Sequence, residues 1–425
     1  MTYIKNYSEL ATTTAREDAL SILEAGYEAI NTERVIRSKV KMDNGTLIIA
    51  DKNFNLSQYE SIYFVGIGKC ALEAGRVMES IMGEYIRDGV VIDSVKGRLE
   101  KIRTYVGTHP WPSQDNVNAA EEIVEMLSNV SDRDLVLMVI SGGGSALLSL
   151  PYRSSVETVM EVTKALTKKG ADIYELNTVR KHLSSVKGGQ LAKMAHPAET
   201  VSLIFSDVLG DDISIIASGP TVKDETFIKD AESILKSYDV LKELPPLELT
   251  ETPKEDTWFE RVHNLLFVTN TDAIEAMERK SREIGYETVK GSNVISGEAR
   301  AVGRSFANTQ LKSKQVQISG GETTVNITGS GKGGRNQETA LSALPHLSDG
   351  TVFISAASDG VDNTDAAGAI CDGELREVAD KLLLDPDRFI LENDSYNFFT
   401  EVGGQIITGP TGSNVSDLYI LLNYK

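Results

Sequence analysis

The sequence predicts an α/β protein of two domains, an N-terminal Rossmann-like parallel-sheet domain followed by a C-terminal α/β domain. Continuous apolar runs such as Asp134–Ile140 are typical of strands that are covered on both faces of a parallel sheet. The length of 425 residues exceeds what one hydrophobic core usually serves. A segment rich in proline and glutamate, from 244 to 258, predicts the connection, so we expect domains at 1–245 and 259–425.

Composition limits the partners that this chain is expected to have. The net charge of −19 argues against nucleic acid, whose phosphates favour basic surfaces. Cys70 and Cys371 lie far apart, so they suggest neither a disulfide framework nor a zinc site and fit a reducing compartment. The N-terminal residues lack the apolar run of a signal peptide, and no run is long enough to span a membrane. We therefore expect a cytoplasmic protein with no membrane partner.

The segment from 318 to 341 contains the densest set of candidate ligand-binding residues. It predicts a turn at Gly320 and Gly321, a strand from Thr323 to Thr328, a glycine-rich loop and a helix that begins near Arg335. The loop glycines allow positive φ angles and a close approach to a ligand. They are Gly329, Gly331, Gly333 and Gly334.

Charge and helix geometry together make this segment a candidate phosphate site. A helix start presents unpaired N–H groups and the positive end of the helix dipole, and Lys332 and Arg335 add two cations there. The alternative is a long connection whose glycines only turn the chain. The segment is not a Walker A loop, because Lys332 is followed by Gly333 rather than by serine or threonine.

A second glycine motif follows the predicted strand Ser61–Val65. Residues 66–71, Gly-Ile-Gly-Lys-Cys-Ala, fit the G-x-G-x-x-A form of a dinucleotide-binding turn, and Asp93 ends the next predicted strand. A nicotinamide-dependent enzyme is therefore an alternative. Lys69 argues against it, because backbone N–H groups already serve a pyrophosphate in such a turn. A lysine at this place suits a substrate whose charge grows in the transition state.

The third glycine motif, Ser141-Gly142-Gly143-Gly144-Ser145, ends the apolar run at 134–140. Ligands of open α/β sheets bind at the carboxyl ends of strands, so we interpret this loop as an anion cradle. A serine nucleophile is the alternative, but G-x-S-x-G is absent because Leu147 occupies its last position.

Charged residues near these loops complete the set of candidates. If residues 177–191 form one helix, then Arg180, Ser184 and Lys187 share a face, and we expect carboxylate or phosphate capture rather than a solvated basic surface. Asp207 and Asp359 follow predicted strands, where an acid suits a Mg²⁺ ligand or a general base. The alternative is that these acids only form turns.

Taken together and in this order, the motifs resemble the glycerate 2-kinase family, whose carboxyl-terminal module is called MOFRL. The resemblance covers nearly the whole chain and implies a MOFRL-type module at about 313–425. The segments that carry it are Val65-Gly-Ile-Gly-Lys69, Asn177-Thr-Val-Arg-Lys-His-Leu183, Ser206-Asp-Val208, Ala217-Ser-Gly-Pro-Thr221, Gly320-Gly-Glu-Thr-Thr324, Gly331-Lys-Gly-Gly-Arg-Asn-Gln-Glu338 and Gly409-Pro-Thr-Gly-Ser-Asn-Val415.

The resemblance implies transfer of the γ-phosphoryl group of ATP to the 2-hydroxyl group of D-glycerate, with Mg²⁺ or another divalent cation. It implies an interdomain cleft in which Lys69, Asp207, Arg335 and Asp359 face one another, with Asp207 and Asp359 as candidate metal ligands. The expected substrate- or nucleotide-binding residues are Gly66, Gly68, Ser141, Gly142, Gly143, Gly144, Ser145, Arg180, Lys187, Glu322, Lys332, Gly333, Gly334, Asn336, Thr411 and Asn414.

Several questions stay open at this point. The segment Asp359-Gly-Val-Asp-Asn-Thr-Asp365 is one residue shorter than the usual family motif, which leaves the role of Asp362 undecided. Alternative functions are an NAD(P)H-dependent hydroxypyruvate reductase, a kinase of another short hydroxy acid, and a non-catalytic sensor of sugar acids or nucleotides. The oligomeric state is also open, with a homodimer as one candidate.

Overall fold

The computed structural model describes residues 2–425 as alternating helices and strands. The helices are α1 Tyr7–Leu10, α2 Thr14–Ile30, α3 Thr32–Lys39, α4 Ala71–Met82, α5 Gln114–Leu127, α6 Gly144–Leu147, α7 Val156–Lys168, α8 Ile173–His182, α9 Gln190–Ala195, α10 Ile228–Ser237, α11 Asn270–Glu283, α12 Ala299–Ala307, α13 Arg335–Ala343, α14 Gly373–Lys381, α15 Pro386–Leu391 and α16 Ser395–Val402. The strands are β1 Val40–Asp43, β2 Thr46–Ile49, β3 Lys52–Asn55, β4 Ser61–Ile67, β5 Ile86–Asp93, β6 Ile102–Val106, β7 Asp134–Ile140, β8 Glu199–Phe205, β9 Val262–Val268, β10 Glu287–Val289, β11 Ile295–Glu298, β12 Gln315–Thr324, β13 Thr351–Ala357, β14 Gly368–Asp372, β15 Gln405–Ile406 and β16 Asp417–Asn423.

The chain forms two compact units whose boundaries differ from the two consecutive domains expected. We call residues 35–267 the parallel-sheet unit, and residues 2–34 together with 268–425 the mixed-sheet unit. The first helices therefore belong with the second half of the chain, and the chain leaves the parallel-sheet unit at 267 rather than between 245 and 259. Among the described residues, no helix is long and apolar enough to cross a membrane.

The long helix α2 belongs to the mixed-sheet unit because its contacts are made there. Gly26 lets it approach α11 closely, since a Cβ at this position would lie 2.7 Å from the Sδ of Met277. Arg16 forms a buried ion pair with Asp372, with 2.6 Å between Nε and Oδ2. The apolar periodicity of α2 predicts the helix, but periodicity alone does not identify its packing partner.

The Pro- and Glu-rich segment is part of the parallel-sheet unit rather than a free connection. Three of its leucines, Leu244, Leu247 and Leu249, pack against the apolar cluster formed with α7, α8 and α10. The N–H of Thr250 donates to the carbonyl of His182 at 2.8 Å. After this segment, β9 joins the edge of the sheet beside β8, which places the boundary between the units at residue 267, near the end of this strand.

The parallel-sheet unit has the predicted Rossmann-like arrangement. Its sheet has the strand order β6-β5-β4-β7-β8-β9, and β4 through β8 run parallel. The strand order reverses at β4, which pairs with both β5 and β7. Ile67 and Ile140 are paired at the carboxyl ends of β4 and β7. This is the topological switch point at which ligands of open α/β sheets bind.

The mixed-sheet unit is organised around β16. Its sheet has the order β10-β12-β16-β13-β14-β15, β11 also pairs with β12, and β16 lies antiparallel between β12 and β13. In this register Asp417 is opposite Gly321 on β12 and Ala357 on β13. A buried acid therefore lies where these three strands meet.

The predicted turn at Gly320 and Gly321 and the strand at 323–328 are wrong, because β12 runs through both glycines and ends at Thr324. The glycines permit close packing instead. A Cβ at Gly320 would lie 1.7 Å from Oδ1 of Asn270, and one at Gly321 would lie 2.1 Å from the carbonyl oxygen of Ile295. Glycine in a strand interior often marks such a close approach.

Candidate functional site

The glycine loops that follow β4 and β7 lie side by side at the switch point. The N–H of Ser141 donates to the carbonyl of Ile67 at 2.9 Å, and the N–H of Lys69 donates to the carbonyl of Gly142 at 3.0 Å. A Cβ at Gly68 would lie 2.2 Å from the Oγ of Ser141, so only glycine allows this contact. The structure thus brings together two motifs that are more than 70 residues apart in the sequence.

The backbone of the first loop is used for this packing rather than presented to a ligand. The N–H groups of Gly68 and Cys70 donate to the carbonyl of Ile92 and to the Oγ of Ser141. A Cβ at Gly66 would lie 2.7 Å from Cγ2 of Val91, which makes this glycine a packing residue as well. Gly66 thus packs against β5 and Gly68 against the second loop, and a contact of either glycine with nucleotide stays a prediction.

Asp93 has a structural role that differs from that of a ribose-binding acid. Its buried carboxylate accepts the N–H groups of Leu72, Ser94 and Val95 at 3.0, 2.6 and 3.3 Å. Burial raises the pKa of Asp93, and these hydrogen bonds oppose the increase. Because this carboxylate and the N–H groups of the turn are already used, the geometry gives no support to a dinucleotide site here.

The loop after β7 keeps backbone donors available for an anion. Gly143 adopts φ +79°, and within residues 2–425 no acceptor is within hydrogen-bonding distance of the N–H groups of Gly142, Gly143 and Ser145. A Cβ at Gly143 would lie 3.1 Å from Cγ of Lys69 and 3.2 Å from Cδ2 of His109. The side chain of Lys69 therefore lies beside Gly143, in a loop whose three N–H groups make no hydrogen bond with the described residues, an arrangement suited to phosphate.

Arg180 and Lys187 come together, although not on one helical face as expected. Helix α8 ends at His182, and Ser184 pairs with Pro151 in an isolated bridge, so the predicted helical spacing is wrong. The buried Nζ of Lys187 donates to the carbonyls of Ser145 and Leu148, both at 2.6 Å. Burial, together with the nearby charge of Arg180, lowers the pKa of Lys187 to about 7.

Arg180 is half-buried, and its guanidinium makes no hydrogen bond or ion pair with the described residues. Burial lowers the pKa of its guanidinium. Asp207 lies at the same edge of the sheet, because it follows β8, the neighbour of β7, by two residues. The carboxyl edge of the parallel sheet thus carries candidate cations and one candidate acid.

In the mixed-sheet unit, Arg335 is the first residue of α13 and is held by two carboxylates. Its Nε and Nη2 donate to Asp417 at 2.7 and 3.0 Å, and Nη1 donates to Glu322. Burial alone would lower the pKa of Arg335, but Asp417 and Glu322 outweigh it and raise the pKa. The guanidinium is charged and fixed, and its charge is compensated within the protein.

Asp417 is a site residue that the motifs did not identify. It is fully buried, and burial raises its pKa while Arg335 opposes the increase. The only sequence signal is an acid at the start of the apolar strand 417–422. A buried acid requires a cation or several donors, so this signal could have suggested the pair.

The start of α13 is capped by the protein itself, which corrects the expected phosphate site at this helix. The carboxylate of Asp362 accepts the N–H groups of Asn336 and Gln337 at 3.0 and 2.9 Å. Burial raises the pKa of Asp362 to about 6, although these hydrogen bonds act in the opposite direction. Asp362, whose role the sequence left open, is therefore the N-terminal cap of α13, and Asn336 contributes to this cap.

The glycine-rich loop before α13 packs against the connection between α15 and α16. A Cβ at the three glycines 329, 331 and 333 would lie 2.4 Å from Glu392, 2.4 Å from Asp394 and 2.2 Å from Ser395. None of these glycines has a positive φ, so close packing rather than backbone freedom explains them. Gly334 packs in the same way against Asp362.

Lys332 is engaged within this packed loop. Its Nζ lies 3.6 Å from the centre of the Tyr396 ring, a cation–π contact, and its N–H donates to Asp394 at 2.8 Å. The side chain is nevertheless exposed. The structure therefore shows a packing role for this loop, and a contact of Lys332 or Gly333 with nucleotide stays a prediction.

Thr411 and Asn414 support the loop that contains Asp359. Thr411 donates its N–H to the carbonyl of Asp359 at 3.1 Å and its hydroxyl to the carbonyl of Ser358 at 2.6 Å. The Oγ of Ser358 donates to Asn414 at 3.5 Å. Both residues thus fix the backbone that carries Asp359, whose Oδ1 accepts the N–H of Val361 at 3.0 Å.

Protein ligands alone do not form a complete metal cage in the described residues. No group of three or more His, Cys, Asp or Glu side chains in 2–425 could hold a metal ion. Mg²⁺ is commonly bound through one or two carboxylates together with substrate phosphates. Asp207 and Asp359, each on its own unit, fit that pattern as single carboxylate ligands.

Family models and known proteins show similarity over nearly the whole chain. Residues 18–249 match the model described as a domain of unknown function, DUF4147, and residues 315–417 match the MOFRL family. A glycerate 2-kinase of Pyrococcus horikoshii is 37% identical, with 96% of this chain and 97% of that protein covered. A D-glycerate 2-kinase of Thermotoga maritima is 35% identical, with coverage of 95% and 97%. The crystal structure of the Thermotoga maritima glycerate kinase superposes with a TM-score of 0.85 at 34% identity, covering 96% of this chain and 99% of that one.

Proposed function

The chain belongs to the glycerate 2-kinase family, and we propose that it transfers the γ-phosphoryl group of ATP to the 2-hydroxyl group of D-glycerate, giving 2-phosphoglycerate. The observation that carries this proposal is the extent of the similarity, which covers 95% or more of this chain and 97% of the two kinases. Both substrates are small molecules, in agreement with a site built from loop backbone and a few charged side chains.

Phosphoryl transfer requires positioning and the stabilisation of negative charge on the transferred group. The N–H groups of Gly142, Gly143 and Ser145 are suited to this task, because no described residue accepts a hydrogen bond from them, and the side chain of Lys69 lies beside Gly143. Backbone donors that are fixed in advance require no reorganisation during the reaction. We assign the phosphoryl group to this loop.

Arg335 is our second candidate for transition-state stabilisation. Asp417 and Glu322 fix its orientation and use three of its N–H groups, so two remain for a substrate oxygen. A guanidinium that is held rigidly loses little freedom when it binds, which favours its use on a short-lived charge distribution.

Asp207 and Asp359 are the candidates for the general base and for the metal ligand. When bound with ATP, Mg²⁺ or another divalent cation would neutralise charge on the phosphates. The base must lie within hydrogen-bonding distance of the 2-hydroxyl group when substrate is bound. Asp359 lies in a loop to which Thr411 is hydrogen-bonded, whereas Asp207 follows β8, and both are partly accessible.

The activity is tested by mixing the protein with ATP, D-glycerate and Mg²⁺, following ADP release, and identifying the product by ³¹P NMR. We expect 2-phosphoglycerate, and we expect Lys69→Ala to lower kcat by roughly 10²–10³-fold, as for loss of one fixed donor. Other short hydroxy acids, and hydroxypyruvate with NADH, are assayed in parallel. Turnover of hydroxypyruvate without glycerate phosphorylation would refute the proposal.

A further inference from the structure

We propose that Arg180 binds the carboxylate of the hydroxy-acid substrate at a subsite beside Ser145, distinct from the N–H groups that receive the phosphoryl group. This inference rests on the proposed kinase activity and specifies which part of the substrate α8 recognises. It makes Arg180 a determinant of specificity for an acid over a neutral polyol.

The position of Arg180 follows from a chain of contacts along α8. Asn177 lies one turn before Arg180 and therefore on the same side of the helix. The Oγ of Ser218 donates to Oδ1 of Asn177 at 2.7 Å and lies 3.1 Å from the Oγ of Ser145.

Lys187 reaches the same place, because its Nζ donates to the carbonyl of Ser145. Arg180 is thus on the Ser145 side of the glycine loop, whereas Lys69 runs past Gly143.

The charge balance on α8 shows that Arg180 lacks a compensating partner. Its neighbour Lys181 is buried and pairs with Asp224, with 3.0 Å between Nζ and Oδ1. By contrast, no carboxylate of the described residues pairs with Arg180 or with Lys187, whose ammonium is bonded only to carbonyls. A buried cation without an acid is unfavourable unless something supplies the opposite charge. The substrate's carboxylate would supply it.

The chemistry of the guanidinium favours a carboxylate at this position. Arginine forms two parallel hydrogen bonds with a carboxylate, a geometry that a lysine cannot reproduce. Lys187 acts as a positioning residue, because its two hydrogen bonds hold the backbone at Ser145 and Leu148. Two separate sets of cations therefore serve two anionic groups, the carboxylate of the acceptor and the phosphate of the donor.

The kinetic test compares Arg180→Met and Arg180→Lys with Arg153→Met, which removes an exposed arginine of the same unit. Arg153 is exposed, pairs with Glu248 and lies over the ring of Tyr152 on the surface, so we expect no change there. For Arg180→Met we expect the KM for D-glycerate to rise roughly 10- to 100-fold, as for loss of one charge-assisted pair, while the KM for ATP changes less than about twofold. Arg180→Lys should recover only part of the loss. An increase in the KM for ATP instead would assign the anion to the nucleotide and overturn the proposal.

Binding in the absence of ATP separates this inference from the kinase activity. By isothermal titration calorimetry we expect the wild-type protein to bind D-glycerate and D-lactate but not glycerol, and Arg180→Met to lose both acids while its far-UV circular dichroism is unchanged. Carboxylate binding without phosphorylation would refute the kinase and leave the subsite standing. Phosphorylation with an unchanged KM and unchanged binding in Arg180→Met would refute the subsite and leave the kinase standing.

Discussion

Replacing Arg335 with alanine would leave the carboxylate of Asp417 buried with much weaker partners. The remaining donors are the side-chain amide of Asn336 at 2.9 Å and the hydroxyl of Tyr419 at 3.4 Å. Removing one member of a buried ion pair typically costs about 3–5 kcal/mol. Because a third of the Arg335 side chain (33%) is exposed while Asp417 is fully buried, we expect the lower end of that range, roughly 3 kcal/mol.

The double variant Arg335→Ala/Asp417→Asn separates this structural cost from a catalytic one. It removes both charges, so urea unfolding should show most of the lost free energy restored. If Arg335 stabilises the transition state, kcat in the ADP-release assay should remain about 10²–10³-fold below wild type in both variants. Recovery of kcat together with stability in the double variant would show that Arg335 has only a structural role.

A second buried pair in the same unit provides the matched control. Arg16 and Asp372 are each 7% exposed and form an equivalent Nε–Oδ2 contact, but they belong to the packing of α2. Arg16→Ala should destabilise the protein by a comparable amount, about 3–5 kcal/mol, with kcat per folded molecule unchanged. A loss of kcat in Arg16→Ala equal to that in Arg335→Ala would show that reduced stability alone lowers turnover.

Three further predictions concern titration and packing. Burial raises the pKa of Asp362 to about 6 in the folded protein, so the free energy of unfolding should fall as the pH rises from the pKa of the unfolded state to about 6. Asp362→Asn should remove this fall from the urea unfolding data. Asp362→Ala should cost about 1–2 kcal/mol, because it leaves two N–H groups at the start of α13 without a cap. Burial lowers the pKa of Lys187 to about 7 in the folded protein, so the free energy of unfolding should rise as the pH increases from 7 towards 10. Lys187→Met should abolish this rise. An unchanged slope in that variant would show that Lys187 is not the group that titrates. Gly320→Ala should lower the midpoint of thermal unfolding, because its Cβ would lie 1.7 Å from an oxygen of Asn270, whereas Gly373→Ala meets nothing nearer than 4.0 Å and should be nearly neutral.

The parallel sheet and its loops could be predicted because their signals are local. An apolar run such as 134–140 shows that a strand is covered on both faces, and a glycine run at its end shows that the backbone there must be unusual. Parallel topology then places the ends of β4 and β7 at one edge, so the two glycine loops had to be near each other. The strand order follows from general rules of α/β folds and needs no knowledge of side-chain contacts.

The boundary between the units could not be predicted in the same way, because it depends on long-range partners. Proline and acidic residues at 244–258 are typical of a linker, yet the leucines among them pack on α7, α8 and α10. Similarly, nothing within α2 indicates that Arg16 pairs with a residue 356 positions later. Amino-acid composition predicts how exposed a segment is on average, whereas its burial in a core depends on the residues against which it packs.

The use of backbone donors is the other feature that sequence reasoning missed, and it changes where positive charge is available. A glycine loop before a helix predicts available N–H groups, but at α13 the two groups at 336 and 337 already bind Asp362. Arg335 likewise lies among Glu322, Asp362 and Asp417, so its surroundings carry more negative than positive charge. In the parallel-sheet unit the balance is reversed, since Arg180 and Lys187 lack acids and the N–H groups at 142, 143 and 145 lack acceptors among the described residues. A site for anionic substrates requires donors that the fold leaves unused, and by that criterion the parallel-sheet unit offers more of them than the surroundings of Arg335, where two N–H groups of the guanidinium remain beside carboxylates.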